Sequence, residues 1–171
     1  MDVEIRRIAD SEAEKLSRLA IAVYTAAFGH SFAAEDLAAH LEARLSVPAL
    51  RLALQKDVFL GAEAEGALTG FIQFGAQNGA ASAPPESARE IRRLYVLPER
   101  QRQGIGGKLM EAALSHPELK LAKTVVLDVW ERNEGAQRLY RKFGFKVVGA
   151  RTFIFASGRE GDNDLIMAWN P

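Results

Sequence analysis

The densest chemistry in the chain lies between Glu90 and Met110, Glu-Ile-Arg-Arg-Leu-Tyr-Val-Leu-Pro-Glu-Arg-Gln-Arg-Gln-Gly-Ile-Gly-Gly-Lys-Leu-Met. A strand-like run to Leu97 gives way at Pro98 to a polar turn. Gly104, Gly106 and Gly107 then fall among the first residues of a helical pattern that spans Gln101 to Ser115. A helix start leaves several backbone N–H groups without intrahelical partners, pointing outward with the positive end of the helix dipole. Glycines remove the Cβ atoms that would hold a ligand away. The chemistry this suits is the binding of phosphate oxygens, with Arg100, Arg102 and Lys108 adding positive charge nearby.

Three phosphate-binding patterns compete for these residues. A Walker loop needs Gly-Lys followed by Ser or Thr, but Leu109 follows Gly107-Lys108 and Arg102 occupies the place of the first glycine. A dinucleotide fingerprint needs a third glycine where Leu109 stands. Both fail. The third fits: Gln101-Arg-Gln-Gly104-Ile-Gly106 resembles the Q/R-x-x-G-x-G/A loop of the GCN5-related N-acetyltransferase (GNAT) superfamily, where it holds the coenzyme A pyrophosphate. Two further stretches match that family in order. Leu94-Tyr-Val-Leu-Pro98 is similar to the strand end that precedes the loop. Asn133-Glu-Gly-Ala-Gln-Arg-Leu-Tyr140-Arg-Lys-Phe-Gly144-Phe145 is similar to the Asn, Tyr and Gly-Phe series that follows it. The resemblance covers nearly the whole chain.

The resemblance implies an N-acetyltransferase that moves the acetyl group of acetyl-coenzyme A onto a primary amine, with no metal and no covalent enzyme intermediate. Arg102, Gln103, Gly104, Ile105, Gly106 and Gly107 would form the pyrophosphate loop, and Leu94, Tyr95 and Val96 would offer backbone groups to the pantetheine arm. Asn133 would orient the coenzyme or the catalytic helix, although a helix N-cap explains that residue type equally. Lys142 could reach the adenosine phosphate or simply face water. An aliphatic amine has a pKa of about 10.4 and must lose a proton before attacking a thioester, so a base and a donor for the departing thiolate are needed. Tyr140 matches the family position of the donor; its alternative is a core aromatic packed with Leu139 and Phe143. Glu90, eleven residues before Gln101, matches family members that use a strand carboxylate as base. Its alternative is a salt bridge to Arg89, Arg92 or Arg93.

A narrower resemblance, to bacterial spermine/spermidine-type polyamine acetyltransferases, rests on Tyr24-Thr-Ala-Ala-Phe-Gly29, Val129-Trp-Glu-Arg-Asn133 and Asp162-Asn-Asp-Leu-Ile-Met167. The acceptor site would then lie on the first two helices, whose Glu12, Glu14, Glu35, Asp36 and Glu42 would hold a second ammonium group or merely face water. Other acceptors left open are a protein amino terminus or lysine and an aminoglycoside-type amine. A non-catalytic acetyl-coenzyme A sensor is the rival from another class.

Composition narrows the classes. Lys plus Arg number 22 and Asp plus Glu 22, a balance that argues against nucleic acid as a partner. There is no cysteine, which excludes disulfides, thiolate metal sites and a cysteine nucleophile. His30, His40 and His116 are scattered, and each reads as a surface or partly buried histidine. The first ten residues lack the apolar run of a signal peptide and no stretch approaches a membrane span, so a cytoplasmic protein without membrane contact is expected. Family members are often dimers, which makes a homodimer the expected assembly.

The elements that must position these residues follow from periodicity. Val3 to Ile8 reads as a strand, Asp10-Ser11 as an N-cap, and Leu16 to Phe28 as a helix stopped by Gly29. A second helix from Ala33 carries Leu37, Leu41 and Leu45 until Pro48 interrupts it, with a short helical turn at Leu50 to Leu54. Val58–Glu63 and Ala67–Phe74 form a hairpin about Glu65-Gly66, and Gly75 to Pro85 a loop. Then come a strand (Glu90–Leu97), a helix (Gln101–Ser115), a strand (Lys123–Trp130), a helix (Asn133–Phe143) and strands at Phe145–Phe155 and Asn163–Trp169. The order βααβββαβαββ predicts an α/β (α+β) fold, a GNAT-like mixed, mostly antiparallel central sheet flanked by helices. Residues 1–171 are expected to form one N-acetyltransferase domain.

Overall fold

The computed structural model describes residues 2–77 and 88–170. It is a mixed α/β chain with one seven-stranded, mostly antiparallel sheet in the order β1-β2-β3-β4-β5-β7-β6. The strands are β1 (Glu4–Arg7), β2 (Val58–Ala64), β3 (Ala67–Ala76), β4 (Ala88–Val96), β5 (Thr124–Trp130), β6 (Lys146–Ile154) and β7 (Glu160–Trp169). The helices are α1 (Ala13–Phe28), α2 (Ala34–Leu45), α3 (Val47–Lys56), α4 (Ile105–Ser115), α5 (Pro117–Lys120) and α6 (Glu134–Lys142). The order is thus βαααβββααβαββ, with α3 and α5 beyond the expected elements. By contacts the chain divides into two compact units, Met1–Gln73 with Arg93–Leu109, and Phe74–Arg92 with Met110–Pro171.

In the first unit, Leu16, Leu19, Ala20 and Val23 recur along one face of α1, as an amphipathic helix requires. They pack with Leu45, Leu50, Leu54, Phe59 and Phe71 in a core that Leu37 and Leu41 flank. Two local readings are corrected. Asp10 and Ser11 do not cap α1: they form a 3-10 turn, Asp10–Glu12, in which the Glu12 carboxylate accepts from the Ala9 amide at 3.0 Å. Pro48 does not break a helix but starts one. It sits in the first turn of α3, where a missing N–H costs nothing, and the Ser46 hydroxyl caps that turn by accepting from the Ala49 amide. The hairpin between β2 and β3 turns on Glu65 and Gly66 at φ 55° and 75°, the left-handed pair a two-residue turn needs. Gly70 on β3 answers a different demand, since a Cβ there would lie 2.8 Å from the Tyr95 carbonyl oxygen.

In the second unit, β4 and β5 pair in parallel from Ala88↔Thr124 to Ile91↔Leu127, while β4 runs on to Val96 and β5 to Trp130. β7 pairs antiparallel with both β5 and β6. Val125, Val126, Leu127, Phe145 and Met167 supply buried side chains. The expected loop from Gly75 to Pro85 begins later than read, since Gly75 and Ala76 belong to β3; residues 78–85 of it lie outside the described residues.

Candidate coenzyme and acceptor site

The glycine turn is built in stages. After β4, Pro98–Arg100 forms a 3-10 turn, with the Arg100 amide donating to the Leu97 carbonyl at 2.8 Å. Arg102 (φ 59°) and Gly104 (φ 83°) then adopt left-handed backbone. The side-chain amide of Gln101 donates to the Val96 carbonyl at 3.1 Å and that of Gln103 to the Glu99 carbonyl at 3.1 Å. Both glutamines therefore brace the turn. The helix proper begins at Ile105 rather than Gln101, and the Lys108 amide is the one that returns to the Gly104 carbonyl, at 3.0 Å. The amides of Ile105, Gly106 and Gly107 precede that bond, where a helix start leaves N–H groups outward.

The space in front of this turn is open. A Cβ built at Gly104 or at Gly107 would meet no atom within 4 Å. Crowding by the protein therefore does not explain Gly107, whereas a ligand pressed against the backbone would. The buried Ile105 side chain anchors the helix start, while Arg102 and Gln103 are exposed. Arg100, expected to add charge to the pocket, instead pairs with Glu65 at 2.7 Å.

The strand leading into the turn is held from both directions. The Leu97 amide donates to the Thr69 carbonyl at 3.0 Å, and the Tyr95 ring meets Phe71 edge-on at 5.3 Å. Burial pushes the Tyr95 phenol up, opposed by the Arg93 guanidinium beside it. Leu94, Tyr95, Val96 and residues 102–107 thus share the first unit.

Glu90, Asn133 and Tyr140 lie in the second unit. Glu90 forms one of the three salt bridges considered for it, accepting from Arg92 at 2.5 Å. Arg89 is engaged by Glu118 at 2.6 Å, and Arg93 by Gln73. Asn133 caps α6, its side-chain oxygen accepting from the Ala136 amide at 3.1 Å. Tyr140 is 7% exposed and packs against Phe145 at 6.1 Å. Sequence reasoning missed Gln137, which is buried and donates its amide to the carbonyls of Trp130 and Glu131, fixing the approach to Asn133. A polar side chain on the inward face of α6 was the available signal.

The acidic residues offered for an ammonium group are partly committed elsewhere. Glu12 takes a two-pronged bond from Arg6 at 2.8 and 2.9 Å, which with the Ala9 amide lowers its pKa to about 2. Asp36 is buried, while Glu14, Glu35 and Glu42 are exposed. The two C-terminal stretches shared with polyamine enzymes bond to each other. Trp130 and Arg132 both donate to Asp162, at 3.1 and 3.0 Å, and the Asn163 amide donates to Glu131 at 3.0 Å. Among the described residues no group of three or more His, Cys, Asp or Glu is placed to hold a metal. Nor is any described helix long and apolar enough to cross a membrane.

The pattern of the acetyltransferase (GNAT) family matches residues 14–145. The chain belongs to that family.

An N-acetyltransferase of Mycobacterium bovis is 29% identical over 159 residues, 92% of this chain and 96% of its own. The spermine/spermidine N(1)-acetyltransferase of Bacillus subtilis is 31% identical over 90 residues, 52% of this chain and 59% of its own. The crystal structure of the PaiA N-acetyltransferase from Thermoplasma acidophilum, in complex with coenzyme A, superposes with a TM-score of 0.78. It is 25% identical, and all of both chains is covered. The protein is accordingly a GNAT-family N-acetyltransferase, and the coenzyme A that accompanies the PaiA structure fits the open, amide-lined turn at Gly104–Gly107.

Proposed function

We propose that this GNAT-family protein transfers acetyl directly from acetyl-coenzyme A to a small primary amine. The observation that carries the reading is the helix start at Ile105, where three backbone amides precede the first intrahelical bond and a Cβ at Gly104 or Gly107 would meet open space. Such a turn suits the coenzyme's pyrophosphate, and the backbone of Leu94–Val96 suits its pantetheine arm. In this reading Glu90 takes the proton from the ammonium and Asn133 orients the helix that carries Tyr140. The amine nitrogen bonds to the acetyl carbon, the carbon–sulfur bond breaks, and the Tyr140 hydroxyl protonates the departing thiolate. The sequence holds no cysteine, so no acyl-cysteine stands between the two partners.

A polyamine is the second acceptor reading, favoured by the likeness to the B. subtilis spermine/spermidine enzyme. Support from the chain's own residues is thinner, because Glu12 is bound by Arg6 and two of the three shared stretches bond mainly to each other. The experiment is thiol release from acetyl-coenzyme A against a panel of amines, with calorimetry of coenzyme A binding in parallel. Binding with turnover of at least one amine is the expected result. Binding without turnover on any amine would favour a sensor, and no binding would remove the site.

A further inference from the structure

Arg93 lies on β4 immediately before Leu94–Val96, in the first unit, and is partly exposed. Its guanidinium donates to the side-chain oxygen of Gln73 and, at 3.4 Å, to the Arg44 carbonyl, and it bonds the Tyr95 phenol. Gln73 is buried and its amide nitrogen donates to Asp57 at 2.6 Å, so its oxygen end is turned toward Arg93. The guanidinium is therefore held in place by neutral oxygens, and among the described residues it touches no carboxylate.

A partly buried cation ordinarily carries a charged partner. Around Arg93 the field is instead reinforced. The Arg44 charge is near, and the two arginines, together with burial, lower the pKa of His40 to about 4. His40 is thus neutral at pH 7 and stacks on Tyr24 at 4.3 Å, with Phe32 edge-on to it at 6.1 Å. The result is a fixed guanidinium near an apolar, aromatic wall. A second ammonium group would be repelled there. A carboxylate would meet the fork geometry that guanidinium matches best.

We infer that Arg93 is a specificity-determining residue that binds a carboxylate carried by the acceptor, making the substrate class a small amino carboxylate rather than a polyamine. The inference rests on the acetyl-transfer reading above. Its placement is consistent with that reading, since Arg93 adjoins the strand segment assigned to the pantetheine arm.

The test uses amino carboxylates with one to five methylenes between the two groups, each against its matching amino amide, which keeps the shape and removes the charge. In thiol release, the best acid is expected to exceed its amide in kcat/KM by about 10- to 100-fold, the worth of a charged hydrogen-bonded contact. Arg93→Gln should bring that ratio to about one, and Arg93→Lys should leave an intermediate value, because a charge remains while the fork is lost. If Arg93→Gln does not fold, Arg93→Lys decides. No acid outperforming its amide, or either variant keeping the wild-type ratio, would overturn the inference while leaving acetyl transfer intact. Should no amine turn over, the functional reading falls. Calorimetric binding of the same acid and amide pairs to the wild-type protein then decides the carboxylate question alone, a lack of preference overturning it.

Discussion

Tyr140 combines two duties that a single substitution separates. Its ring is part of the packing, 6.1 Å from Phe145, and its hydroxyl is the proposed proton donor. Tyr140→Phe keeps the ring, so thermal stability and coenzyme affinity are expected to change little. Turnover should fall about 10²-fold, within the range general acid–base groups supply. Turnover equal to wild type would take Tyr140 out of the chemistry. For Glu90 the bond from Arg92 fixes where the carboxylate sits and is compatible with a role as base. Glu90→Gln keeps the shape of the side chain but cannot accept the ammonium proton. Rates should drop most at low pH, and the acid limb of the kcat/KM profile should move; an unmoved limb would assign the proton to another group.

The glycine turn makes a sharper prediction because fold and ligand ask opposite things of it. A Cβ at Gly107 meets no protein atom within 4 Å, and the residue lies in the first turn of α4. Alanine is the better helix former by about 1 kcal/mol, so Gly107→Ala should leave the melting temperature unchanged or raise it. A ligand lying on that backbone would be displaced, and KM for acetyl-coenzyme A should rise by about tenfold, roughly 1.4 kcal/mol. A variant with unaltered KM would show that nothing presses on this helix start. This turn was legible in the sequence because its residues are contiguous and glycine announces its own backbone needs. So was α1, where one apolar period repeats for four turns. The start of α3 was not, since Pro48 reads alike as the end of one helix and the first turn of the next. Nor was the Asp57–Gln73–Arg93 chain, whose members stand 16 and 20 residues apart on an α3 end, β3 and β4. No local period reports which side chains a sheet will set side by side. Tyr140 was legible by its spacing from Asn133, but its packing partner, Phe145, follows from the path of the chain beyond α6 rather than from helical neighbours.

For the whole molecule, two groups make stability depend on pH in separable windows. His40 titrates near 4 in the folded protein against an ordinary 6.5, because of its burial and the Arg93 and Arg44 charges. Between those values the unfolded chain binds a proton that the folded one refuses, so stability must decline as pH falls from 6.5 toward 4 and then level. Glu12 moves from 4.5 to about 2, chiefly through its bond from Arg6, so its contribution is present above 4.5 and fades as pH falls toward 2. With equal numbers of acidic and basic side chains, acidification also builds net positive charge, whose self-repulsion affects wild type and variants nearly alike. The difference between them therefore isolates each group. Urea midpoints measured from pH 7 downward should show His40→Phe, which retains a ring against Tyr24, losing less stability than wild type between pH 6.5 and 4. The two curves should run parallel above pH 7, where both folded and unfolded His40 are neutral. Arg6→Gln should start lower at pH 7 and lose less between pH 4.5 and 2. Parallel curves for His40→Phe and wild type across the upper window would mean that His40 takes up its proton in the folded state as readily as in the unfolded one. The two arginines would then exert no net field at that ring.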